Sequence, residues 1–230
     1  MYNVVCVKWG DKYGPEYVNI LQAMVKRNLS LPHRFICFTD NNTGLNPDVE
    51  TFPLTETDLE GWWHKVTLFK SDLFGLTGRT LYLDLDVVII DSIDCFFDYD
   101  DRFVIIKDWN SRASVFYNSS VFLYDAGKLS FVWDNFSKEK VRRLGGGDQI
   151  WITQQIPDAT IWPKTWCRSF KYECVDKGPY RDKAENYDKN GVPEGCKIVI
   201  FHGQPNPPEA LTGKVLRYPA ASWIGDYWKE

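Results

Sequence analysis

The chain opens on a short apolar run, NVVCVKW at residues 3–9, which stops at the turn-rich stretch GDKYGP. An apolar run bounded by glycine and proline predicts a strand followed by a loop. In PEYVNILQAMVKRNL the apolar residues Val18, Leu21, Met24 and Val25 recur at helical spacing, and Pro15 suits a first helical turn. HRFICFTDNNTG predicts a second strand halted by polar residues 39–44, and VETFPL a short third one. GWWHKVTLFKSDLFG predicts another amphipathic helix, closed by the glycines at 75 and 78, which feeds a strand at residues 80–85. The order β–α–β–β–α–β predicts an α/β fold: a Rossmann-like, mixed but mainly parallel sheet flanked by helices. Ligands of such sheets bind outside the carboxyl ends of the strands.

The second half is less regular. RFVIIKDW and VFYNSSVFLYDAG predict strands around a mixed loop, LSFVWDNFSKEKVRRL one helix, and GGGDQIWITQQI a glycine-rich turn entering a helix. PDATIWPKTWCRSFKY predicts loop and strand, and GCKIVIFHGQPNPPEAL a strand running into a proline-rich loop. Without repeats, low-complexity tracts or a dividing linker, residues 1–230 are expected to form a single domain.

Composition narrows the function classes. With 27 Lys plus Arg against 31 Asp plus Glu the net charge is −4, so no nucleic-acid partner is expected. No window approaches the ~18 uninterrupted apolar residues of a membrane span. Residues 1–10 pass directly into a strand pattern without a charged leader, and the six cysteines form no CxxC pair. The expectation is a cytoplasmic protein with thiols in a reducing compartment, although an even count permits a bridge such as Cys167 to Cys174. The apolar C-terminal SWIGDYWKE packs on the domain, on a second copy, or on a membrane surface as a peripheral contact. Packing is favoured because it lacks a basic face, and oligomeric state stays open.

One stretch brings in chemistry: RTLYLDLDVVIIDSID, in which an apolar strand carries Asp84 and Asp86 one residue apart. Continued as a strand, Tyr82, Asp84 and Asp86 project from one face, with the two carboxylates roughly 6–7 Å apart. Two ionised carboxylates buried side by side repel and lose hydration, and a divalent cation removes both penalties. Hard oxygen ligands suit Mn²⁺ or Mg²⁺. The plainer alternative is a pair of acidic turn residues where the strand meets solvent. His202, directly after the apolar run 198–201 and followed by Gly203, is a further ligand candidate or a hydrogen-bonded structural residue.

These segments together resemble a GT-A fold glycosyltransferase, and most closely the retaining enzymes of family 8, the group containing glycogenin and the lipopolysaccharide galactosyltransferases. KYGPEYVN, FICFTD, the helix–strand unit ending in DLD, FYNSSVFLYDAG, GGGDQIWI and FHGQPNP match the family's segments in order, over roughly residues 3–207. The last segment departs from the pattern. Its histidine and glycine are adjacent, and Gln204–Pro205 replaces lysine–proline, so the basic residue that meets the donor phosphate there is missing. Lys164 and Arg168 are candidate substitutes.

The resemblance implies a nucleoside-diphosphate-sugar donor, with UDP as the favoured nucleotide, and Mn²⁺ or Mg²⁺ held on its diphosphate by Asp84, Asp86 and His202. It places Tyr13 near the nucleobase, Asp40 near base or ribose, and Lys65, Asp84 and Gly203 on the donor. Asp40 reads equally well as an Asx turn and Lys65 as a solvated helix lysine. Asn118, Asp148 and Gln149 are the candidates for the sugar and the reacting centre, and Asp148 also stands where an N-cap belongs. The acceptor is a carbohydrate, a lipid-linked sugar or a protein, and retention of configuration follows from the resemblance alone. Two other readings stay open: a sugar-nucleotide nucleotidyltransferase, for which GDKYGPEY is poor in glycine and arginine, and a degenerate, non-catalytic domain that binds a sugar or partner.

Overall fold

The computed structural model describes residues 1–112, 115–144, 146–175, 179, 186–213 and 218–230. Its contacts divide the chain into two compact units, each built from separated segments. The first comprises Met1–Val18, Leu31–Leu85 and Phe96–Ile161; the second comprises Asn19–Ser30, Asp86–Cys95 and Trp162–Glu230.

The ten strands among the described residues are numbered in chain order. The first unit holds a seven-stranded sheet made of β1 (Tyr2–Lys8), β2 (His33–Thr39), β3 (Glu50–Pro53), β4 (Gly78–Leu83), β6 (Val104–Arg112), β7 (Val115–Ala126) and β8 (Thr160–Ile161). Its order is β3-β2-β1-β4-β7-β6-β8. The β2–β3, β1–β2, β1–β4 and β6–β8 pairs are parallel, and β7 runs antiparallel to both β4 and β6. This is the mixed, mainly parallel sheet the sequence predicts. The strand order turns at β1, with β2 on one side and β4 on the other, which makes the carboxyl ends of β1 and β4 the place where such a sheet opens a crevice.

Burial follows the apolar runs. Val4, Val5 and Cys6 of β1, Ile36 and Cys37 of β2, and Leu81 and Leu83 of β4 are fully buried. The core of this unit is strongly aromatic. Tyr82 stacks on Phe122 at 4.6 Å, and Phe122 on Phe69 at 5.7 Å. Such pairs add about 0.5–1.5 kcal/mol each beyond their buried area.

Three expectations for this unit need correcting. The amphipathic helix read over 61–75 is a 3-10 helix, Gly61–Phe69, in which the Thr67 hydroxyl donates to the His64 carbonyl at 2.7 Å, a local bond that favours the tighter turn. The single helix read over 129–144 is two short ones, Phe131–Asp134 and Lys138–Leu144. Asn135 ends the first, and the Ser137 hydroxyl accepts from the Lys140 backbone at the start of the second. Finally, β4 stops at Leu83 and residues 85–86 form a turn, so strand alternation does not carry through to Asp86.

In the second unit, β5 (Val88–Ile89), β9 (Cys167–Ser169) and β10 (Ile198–Ile200) form a three-stranded sheet in the order β5-β10-β9. β10 is antiparallel to β5 and parallel to β9, with Ile200 opposite Ser169. The expected proline-rich loop becomes a helix, Pro207–Thr212, started by a capping box between Asn206 and Glu209. Trp223, Ile224 and Trp228 of the C-terminal segment are buried, as packing on the protein requires. Among the described residues no disulfide forms and all six cysteines are thiols, so Cys167 and Cys174 are not bridged. No helix among the described residues is long and apolar enough to cross a membrane.

His64 carries a consequence for acid stability. Its side chain is buried, neither ring nitrogen meets a partner at full hydrogen-bond geometry, and burial lowers its pKa from 6.5, only partly opposed by the nearby Leu59 backbone. The unfolded chain therefore takes up this proton more readily than the folded one, and stability falls as pH drops below about 6.5, down to the folded-state value. His64→Leu is expected to flatten the urea-midpoint profile between pH 7 and pH 5; an unchanged profile refutes the assignment.

Candidate active site

The first unit gathers one cluster of charged side chains at the carboxyl end of β4. Lys65, on the 3-10 helix, is buried, and its ammonium lies 2.9 Å from Asp84 Oδ1 and 3.4 Å from Asp148 Oδ2. The Tyr82 hydroxyl donates to the same Asp84 oxygen at 2.7 Å, and Lys65 lies 5.3 Å from the centre of the Tyr82 ring. The Ser119 hydroxyl donates to Asp148 Oδ2 at 2.7 Å and accepts from Lys65 at 3.3 Å.

Local structure explains how these side chains meet. Asp84 follows β4 directly, and its backbone N–H donates to the Ser120 carbonyl at 2.8 Å, which ties it to β7. The β6–β7 register shifts between Ile105, opposite Phe122, and Ile106, opposite Asn118. The ladder thus skips residues 119–121, and a bulge of this kind re-aims side chains. Asp148 opens the helix Asp148–Gln155, yet the N-cap is Gly147 and makes no side-chain cap bond. The expected capping role of Asp148 is not the one found; its carboxylate turns to Lys65 and Ser119 instead. The neighbouring Gly145 lies outside the described residues.

Two carboxylates share one ammonium here. Burial alone would lower the Lys65 pKa, but Asp148 and Asp84 outweigh it and hold the amine above the ordinary lysine value. Burial raises the Asp148 pKa against the pull of Lys65 and Ser119. The lysine is therefore firmly charged, and burial makes the Asp148 carboxylate take a proton more readily than an ordinary aspartate does.

Asn118 is buried, and its side-chain oxygen accepts from the Ser120 N–H at 3.1 Å. Gln149 is half-buried on the helix beside Asp148. Asp40 is exposed and accepts from the Gly10 backbone at 2.9 Å, joining the loops after β2 and β1 rather than closing an Asx turn. Tyr13 is half-buried with its ring 4.6 Å from Tyr17.

Asp86, His202 and Gly203 belong to the second unit. Asp86 is buried. His202 Nε2 bonds to the Ser169 hydroxyl at 2.7 Å, and its ring lies 4.8 Å from that of Tyr172. Burial, then Lys171, push its pKa down to about 4, so it is a neutral imidazole near pH 7. Gly203 has a φ of +74°, in the left-handed region that favours glycine. A carboxylate is a hard oxygen donor for a divalent ion, and a neutral imidazole is a nitrogen ligand. Among the described residues, however, no three His, Cys, Asp or Glu side chains are grouped as a metal cage.

Ser119 is a site residue that the motif reading did not name, and Tyr82, placed there on the same strand face as Asp84, was given no role. The polar triplet Asn118–Ser119–Ser120 inside an otherwise apolar strand was the available signal.

The solved structures similar to this chain are glycosyltransferases, and the likeness shows that the chain has their GT-A fold. The galactosyltransferase LgtC, solved with donor and acceptor sugar analogs, aligns with a TM-score of 0.60 at 14% identity, over 97% of this chain and 99% of LgtC. The glycosyltransferase GlyE of Streptococcus pneumoniae TIGR4 aligns with a TM-score of 0.67 at 14% identity, over 99% of this chain and 60% of GlyE. The bifunctional WbbM aligns at 0.58 and 14%, over 89% of this chain and 46% of WbbM. No protein-family model matches the sequence, and no curated protein does either.

Proposed function

We propose that this chain is a glycosyltransferase that moves a sugar from a nucleoside-diphosphate sugar, UDP-sugar as the first choice, to a carbohydrate, lipid-linked or protein acceptor, with retention at the anomeric carbon. The observation that carries the reading is the Lys65–Asp84–Asp148–Ser119 cluster at the carboxyl end of β4 in a GT-A fold, buried except for the partly exposed Asp84. Buried charge without such a use costs stability rather than adding to it.

In this reading Asp148, Asn118 and Gln149 hold the hydroxyls of the transferred sugar. Lys65 fixes both carboxylates before the sugar arrives, so no reorganisation is needed as positive charge grows at the anomeric carbon. Tyr13 and Asp40 meet the base and ribose. A divalent ion, Mn²⁺ or Mg²⁺, when bound, supplies counter-charge to the leaving diphosphate. Asp84, Asp86 and His202 are the groups of suitable donor chemistry for it.

A second reading, a sugar-binding domain without transfer, draws on one observation: Asp84 Oδ1 is already engaged by Lys65 and Tyr82. Isothermal titration of UDP and GDP, with and without Mn²⁺, tests the first reading. Metal-dependent binding weakened at least about tenfold by Asp84→Asn is expected, the size of one lost charge-assisted contact. Absence of binding to either nucleotide overturns it. Nucleotide binding without release of UDP or GDP from any nucleotide sugar favours the second reading.

A further inference from the structure

The second unit has a feature of its own at the carboxyl ends of its parallel pair. β9 and β10 run in the same direction with Ser169 opposite Ile200, so the residues that follow them, Lys171 and His202, emerge on the same side. The Lys171 ammonium donates to the His202 carbonyl and lies 6.0 Å from the centre of the Tyr172 ring. It is half-buried, and among the described residues no carboxylate pairs with it.

The two other basic residues nearby in sequence are differently placed. Arg168 is only 1% exposed and is bonded to Glu173 at 2.8 Å, and Lys164 is exposed. Neither does what was expected of it as a substitute for the basic residue missing after Gly203; Lys171, which the motif comparison did not single out, is the cation that reaches that loop.

An ammonium has three donors, and one carbonyl occupies one of them. Half-buried, Lys171 has lost hydration without regaining it from a counter-charge among the described residues. Gly203 leaves its approach open. A Cβ there would stand 3.6 Å from the ammonium, in the space a ligand oxygen would use, and the left-handed backbone already disfavours any residue that carries one.

We propose that Lys171, presented beside Gly203, is an anion-binding residue that takes the diphosphate of the nucleotide donor. The inference rests on the donor reading for the nucleotide, and for the anion on a half-buried ammonium that meets the His202 carbonyl beside Gly203 and pairs with no carboxylate among the described residues. Lysine binds phosphate as a point charge, so arginine at this position keeps most of the attraction, whereas methionine keeps the apolar stem and loses the charge.

The test is titration of wild type, Lys171→Met and Lys171→Arg with UDP, GDP, their nucleosides uridine and guanosine, and pyrophosphate, each with and without Mn²⁺. Expected is a Kd for the preferred nucleoside diphosphate and for pyrophosphate weakened about 10- to 100-fold in Lys171→Met, the range of one lost charge-assisted contact. Nucleoside binding should stay unchanged, and Lys171→Arg should remain within about fivefold of wild type. Equal diphosphate affinity in Lys171→Met overturns the inference while leaving the donor reading intact. Equal losses for nucleoside and diphosphate also overturn it, since they mark a structural tie to the His202 carbonyl. Pyrophosphate binding that depends on Lys171, without nucleotide binding, supports the anion site and removes the donor reading. A wild type that binds neither removes both.

Discussion

Lys65→Met lowers stability by about 3–5 kcal/mol, the cost of removing one partner from a buried ion pair. In a chain of this size that is a fall in Tm of about 10 °C. The magnitude follows from what remains. Asp84 and Asp148 lose the ammonium they share, and among the described residues Asp148 keeps the Ser119 hydroxyl as its side-chain donor, in a site whose burial already favours its protonated form. Asp148→Asn in the same background should recover a large share of the loss, because the amide needs no counter-charge and still accepts from Ser119. Thermal unfolding of wild type, the two single variants and the double variant gives the coupling. If the double variant is no more stable than Lys65→Met alone, the electrostatic account of the cluster is wrong.

The second large effect lies in the other unit. Arg168 and Glu173 are 1% and 2% exposed and meet at 2.8 Å, and the second Glu173 oxygen accepts from the Ser169 N–H at 2.9 Å. Glu173→Ala removes the carboxylate from a buried guanidinium and leaves the Ser169 N–H without that acceptor. The expected loss is again about 3–5 kcal/mol. Glu173→Gln keeps an acceptor for Ser169 and should cost less. Replacing the pair together by Arg168→Met and Glu173→Leu should come closer to wild type than Glu173→Ala, since apolar side chains of similar volume need no charge compensation. Denaturant midpoints decide this, and a double variant as unstable as Glu173→Ala refutes it.

The sheet was legible because its strands are short apolar runs between strong turn residues, as in residues 3–9 and 33–39, and such runs report burial on both faces. The acidic cluster was legible in part. Asp84 and Asp148 stand out as carboxylates beside apolar segments, and Lys65 enters through the resemblance. Ser119 joins them only because the β6–β7 ladder shifts register, and a register shift depends on both strands rather than on either sequence. The 3-10 geometry of Gly61–Phe69 was hidden for a related reason: its apolar spacing suits an α-helix, and hydrogen bonds such as that from Thr67 to His64 decide the turn. The helix Pro207–Thr212 carried a readable signal, the Asn206–x–x–Glu209 capping box with proline in the first turn, which the proline-rich composition obscured.

The second unit is assembled from pieces far apart in the chain. Arg27 donates to the carbonyls of Tyr227 and Lys229, and the Ile93 N–H to the Asn28 carbonyl, while β10 lies between β5 and β9. On a ribosome, the three-stranded sheet of this unit has no central strand until residue 200 has emerged, and the segment around Arg27 waits longer for its last partners. The apolar side chains of β5 therefore stay uncovered by β10 while all the residues between the two strands are made. Contacts of such long sequence separation form late and expose nascent chains to aggregation.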